Sequence, residues 1–151
     1  MLIASPALAG VEMSLQDRDV ARSMSLGGSC NRCELSGRNL SGGTFTGACF
    51  MNATLVGANL RGAEMMGSNF TGSDFSRANL SGVEIVGANF SSANFTSAVL
   101  SGAEAQGASF VRANMTRVDL SSAELHGVNF NGATLTDANF SHSELFGATL
   151  A

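Results

Sequence analysis

The chain has no lysine, no tryptophan and no tyrosine, and only one proline in 151 residues. Each absence narrows the possibilities. Without Lys, positive charge rests on eight Arg, dispersed as Arg18, Arg22, Arg32, Arg38, Arg61, Arg77, Arg112 and Arg117. No basic stripe could neutralise a run of phosphates, so direct nucleic-acid binding is not expected. No apolar run approaches the roughly 20 residues that cross a bilayer, and membrane insertion is not expected either. Charged residues make up only 13% of the chain, with a formal net charge of −4. The length suits one domain. Eighteen Gly beside so few aromatic types is far from an ordinary mixed composition, and bias of this kind points to internal repeats.

A repeat is present, with a period of five. If each unit is numbered so that its central apolar residue, i, falls on a multiple of five, the series runs from Leu35 to Leu150 without an insertion, 24 units in all. Site i is Leu eleven times and Phe nine times, with Met65, Ile85, Ala105 and Met115 as the exceptions. Site i−2 holds fifteen Ala, three Val, three Ser, Cys33, Arg38 and Gly43. Residues two apart share a face of an extended segment, so sites i−2 and i point inward and the polar side chain at i−1 points out. Fourteen of the 18 Gly sit at i+2, where a tight turn needs positive φ. Each unit is thus one short side and one corner.

Longer-range order sets the number of sides. Phe50, Phe70, Phe90, Phe110 and Phe130 recur at every fourth unit, as do Leu40, Leu60, Leu80, Leu100 and Leu120. Four units therefore close one coil, and a square solenoid follows. At a strand spacing of about 4.8 Å per coil, 24 units stack as six coils in a rod of roughly 29 Å. Ala105 stands in column with Ile85 and Leu125, which predicts underpacking there.

Units such as Ala58-Asn59-Leu60, Ala88-Asn89-Phe90 and Ala138-Asn139-Phe140 carry a family resemblance. Over about four-fifths of its length the chain resembles the pentapeptide-repeat proteins. The resemblance implies an all-β fold, a right-handed quadrilateral β-helix. It also implies a function class: most members are non-enzymatic interaction scaffolds, while a subset are acidic dimers that mimic duplex DNA and bind DNA gyrase and other type II topoisomerases. Two features stand against the mimic. From Cys33 onward the repeats hold nine acidic residues and five Arg, a net of −4, and no loop breaks them between Leu35 and Leu150.

The N-terminal part, residues 1–28, reads as a tail and a cap, with the solenoid over 29–151. MLIASPALAG ends in a small-x-small pattern at Ala7-Leu8-Ala9, which fits either a signal-peptide remnant over 1–9 or a plain tail. Ser14 to Leu26 has the marks of a short helix, capped by Ser14 with Asp17 three places on and stopped by Gly27-Gly28. Its task is to plug the apolar end of the first coil. Cys30 and Cys33 continue the inward register, and three readings stand: a disulfide, a reduced buried pair, or a redox or metal role. The first is preferred. Together with the signal-like residues it favours a periplasmic or lumenal location over a cytoplasmic one. No metal or cofactor is expected, since structural zinc wants four ligands and only Cys49, His126 and His142 remain, on distant coils.

Nothing in the sequence is arranged for catalysis. His126 and His142 face outward on different sides, with no nucleophile or carboxylate in a triad-like relation. Two outward features are candidates for contact instead. Glu64, Glu84, Glu104, Glu124 and Glu144 line one wall at i−1, beside Met66 and Val86 at i+1. Stacked carboxylates repel, and an acidic and apolar stripe is what a protein partner could read. At the other end of the rod, Phe146 is the only Phe outside an inward site; dimers of the family it resembles meet near their C-termini, so the resemblance implies a homodimer contact on the C-terminal coil that includes Phe146 and Leu150.

Overall fold

A computed structural model of the protein describes residues 28–151. The expected N-terminal tail and capping helix, Ser14 to Leu26, lie outside the described residues. From Ser29 onward the backbone coils in a four-sided solenoid. Each residue at site i−1 bridges in parallel to its equivalent one coil later, from Ser29↔Cys49 to Asn129↔Thr149. Each side is narrower than a strand. Only site i−1 forms a ladder bridge, because the two residues after site i turn the corner and leave no further extended pair. Among the described residues no helix is long and apolar enough to cross a membrane.

Every corner has the same construction. The N–H at i+3 donates to the carbonyl at i, as from Ala58 to Leu55 at 3.1 Å and from Ala103 to Leu100 at 3.1 Å. Site i+2 carries positive φ at all 24 corners from Arg32 to Gly147, fourteen of them Gly and ten not. Positive φ at the third residue alone makes these type II turns. The ten exceptions, among them Arg77, Ser92, Arg112, Arg117 and His142, hold a left-handed backbone that costs an L-residue about 1 kcal/mol.

The outward side chain at i−1 helps to hold that corner. Asn Oδ1 accepts the backbone N–H two residues on, as between Asn59 and Arg61 at 3.1 Å. In many units it also accepts the Ser or Thr hydroxyl there, as between Asn89 and Ser91 at 2.7 Å. Asn, Asp, Ser and Thr favour such local bonds. Coils are joined by backbone bonds of the kind made by Leu80 N–H to Val99 O and Asn79 N–H to Ala58 O, at 2.7 and 2.9 Å.

The lumen is filled by the side chains at sites i and i−2. The rings of Phe50, Phe70, Phe90, Phe110 and Phe130 stack with centroids 4.9 to 5.6 Å apart. On the next wall Phe75 stacks on Phe95 at 4.9 Å, and this pair meets the first column edge to face, as in Phe90–Phe95 at 5.3 Å. Stacked and edge-on contacts both suit the ring quadrupole. The small side chains at i−2 leave room for the rings. Ser73, a buried exception, donates its hydroxyl to Phe50 O and accepts the Ala53 N–H.

Three outcomes follow for stability. Gly102 has φ +67 and open space where a Cβ would go, so Gly102→Ala should cost about 1 kcal/mol from backbone strain alone, read as a lower denaturation midpoint. Ser92→Gly should raise the midpoint by a similar or smaller amount. Ala105 is fully buried in the column of Ile85 and Leu125, and Ala105→Leu should leave the midpoint unchanged or raise it. A loss above about 1 kcal/mol would show that the lumen there is already full.

Candidate functional site

The acidic wall is one continuous ladder. Parallel bridges link Glu64↔Glu84, Glu84↔Glu104, Glu104↔Glu124 and Glu124↔Glu144, so the five carboxylates project from one face at the coil repeat. The neighbouring side chains at i+1 decide how each is compensated. Gln106 Nε2 donates to a carboxylate oxygen of Glu124, and His126 Nε2 lies 2.8 Å from Glu144 Oε2. Both bonds reach from one coil to the next. Met66 and Val86 offer no such donor. Met66 is 37% exposed, so the wall is acidic and apolar toward its N-terminal half and hydrogen-bonded toward its C-terminal half. The Gln106 Oε1 atom is buried without a hydrogen-bond partner.

Sequence reading found the carboxylate column and missed its compensation. The signal was available: Gln106 and His126 stand in the same wall as the Glu of the following coil, but the meaning of that placement depends on the distance between coils. Six Gly, at 47, 67, 87, 107, 127 and 147, form the corner after this wall, and no side chain projects there. Positive φ does not by itself demand this, because each of the other three corner columns includes non-glycine residues.

At the C-terminal coil, Phe146 is 86% exposed and Leu150 59% exposed. Leu135, Phe140 and Leu145, inward by register, are only partly buried there. Phe146 also sits 6.5 Å from the His126 ring, which joins the end of the acidic wall to this apolar surface. At the opposite end Cys30 and Cys33 are joined as a disulfide with Cα atoms 5.4 Å apart, and both are fully buried. Cys49 is a free thiol. Among the described residues no group of three or more His, Cys, Asp or Glu could hold a metal ion.

Two family descriptions match this chain: a pentapeptide repeat region over residues 73–150, just over half its length, and pentapeptide repeats over residues 29–65. No curated protein matches it. Among solved structures it is similar to Rfr23, a pentapeptide repeat protein from the cyanobacterium Cyanothece 51142, at 22% identity and a TM-score of 0.60. That likeness covers 93% of this chain and 95% of the other. It is also similar to a trypsin-treated form of QnrB1, a plasmid-mediated fluoroquinolone resistance protein, at 24% identity and a TM-score of 0.62. Here 80% of this chain is covered, and it spans 63% of QnrB1. These likenesses show the fold, a right-handed quadrilateral β-helix. The five-residue register, the positive-φ corners and the two matching family descriptions lead to one conclusion: the chain belongs to the pentapeptide-repeat family.

Proposed function

We propose that the protein is a non-enzymatic scaffold that binds a protein partner along its acidic wall and pairs with a second copy through its C-terminal coil. In this reading the rod has about six coils, closed at its N-terminal end by the helix expected over Ser14 to Leu26. The observation that carries the reading is the contrast between walls. Three walls present mostly short polar side chains, many of them engaged in bonds to their own corners. The wall of Glu64, Glu84, Glu104, Glu124 and Glu144 instead presents charge beside the exposed Met66, and a bare corner follows it. A partner reading that wall is basic and carries apolar anchors, because complementary charge steers encounter while buried apolar contacts hold the complex.

A second reading is binding to a type II topoisomerase by mimicry of duplex DNA. It is favoured by the even spacing of five carboxylates down one face. The net charge of −4 weakens it.

Two experiments separate these readings. A photo-crosslinking residue at position 86, set against one at position 81 on another wall, is placed in the native cells and its adducts are identified by mass. The scaffold reading predicts a defined adduct from position 86 only, lost in the Glu84→Lys/Glu104→Lys variant. If instead purified gyrase loses supercoiling activity with the protein and regains it with that variant, the mimic reading replaces the scaffold. For self-association, Phe146→Asp should shift the protein toward monomer in sedimentation velocity by tenfold or more in dissociation constant, about 1.4 kcal/mol. An unchanged distribution would remove Phe146 from the contact.

A further inference from the structure

The corner at the start of the described coil differs from every later one. Cys30 and Cys33 hold its first and last places, so the disulfide links the same two residues as the corner's hydrogen bond, Cys33 N–H to Cys30 O at 3.3 Å. The left-handed position between them is Arg32, with φ +61, where Gly would cost nothing. Asn31 completes the corner and faces outward. Its Oδ1 accepts the Met51 N–H at 2.9 Å and the Cys49 thiol at 3.3 Å, which fastens the corner sideways to the next coil. Both half-cystines are buried and belong to the same apolar core as Leu40, Phe45 and Phe50.

We infer that the Cys30–Cys33 bond is a redox-sensitive latch on the first coil. Oxidised, it holds closed a corner that Arg32 disfavours. A dithiol reductant attacks one sulfur as its thiolate and breaks the S–S bond. Its second thiol then resolves the mixed disulfide, so that Cys30 and Cys33 gain two electrons and two protons and the reductant leaves as its own disulfide. Because the sulfurs are buried, attack requires the end coil to open first, and the rate of reduction reports that opening. Once reduced, the corner must reclose against the left-handed Arg32 with two unbonded sulfurs in a filled lumen. The first coil then frays and uncovers the apolar end of the core, while the coils beyond it keep their bonds on both sides. The inference is independent of the acidic wall.

Hydrogen exchange of the full chain, with and without dithiothreitol, tests it. Reduction should speed exchange of the amides of residues 30–42 by about tenfold or more and leave residues 73–127 unchanged. Reduced Arg32→Gly should recover about fivefold or more of that protection, because Gly removes the backbone cost. Loss of two buried sulfur contacts alone would give no such rescue. Cys30→Ser/Cys33→Ser should exchange as the reduced protein does, and if it does not fold the reduced native chain still decides. Unchanged exchange on reduction, acceleration that extends through residues 73–127, or failure of Arg32→Gly to restore protection would overturn the latch.

Discussion

The structure depends on one constraint: the backbone of each coil must hydrogen-bond to the neighbouring coil while its side chains alternate in and out. A side this short cannot satisfy its own polar groups, and it does so only through the coils above and below. The corner must therefore turn in two residues without shifting the register. Positive φ at i+2 achieves that at all 24 corners, and it explains why Gly concentrates there. Packing follows from register. With every inward residue placed directly over another, like stacks on like, and the Phe columns with their edge-to-face contacts arise without any residue reaching across the chain's order.

Much of this was legible before any coordinates. Period, inward faces, four-unit coil and family all follow from positions such as Phe50 through Phe130, because a solenoid has nearest-neighbour contacts alone and its structural period is its sequence period. What was not legible depends on geometry between coils or on backbone tolerance. Asn59 and Asn89 read as outward polar residues, yet each fastens the corner that follows it. Arg77, Arg112 and Arg117 gave no sign that they would adopt the φ of their glycine counterparts. The pairing of Gln106 with Glu124 and of His126 with Glu144 became visible only when the coils were stacked.

The candidate site stands differently. The carboxylate column is in the sequence, but a column copied by repetition is compatible with a solvated face. The wall differs from the others in what surrounds its carboxylates: an exposed Met66, a corner of six glycines, and hydrogen-bonded compensation confined to the C-terminal half. In a regular rod, function resides in such departures from equivalence between walls.

The most direct test of the account is a pair of deletions judged by circular dichroism on denaturation. Removing residues 88–107 takes out one full coil and leaves every column aligned, so a single cooperative transition near that of the intact chain is predicted. Removing residues 88–106, one residue fewer, turns all later inward residues out of register, and the cooperative transition should vanish. If the two shortened chains unfold alike, coil-to-coil register is not what holds this protein together.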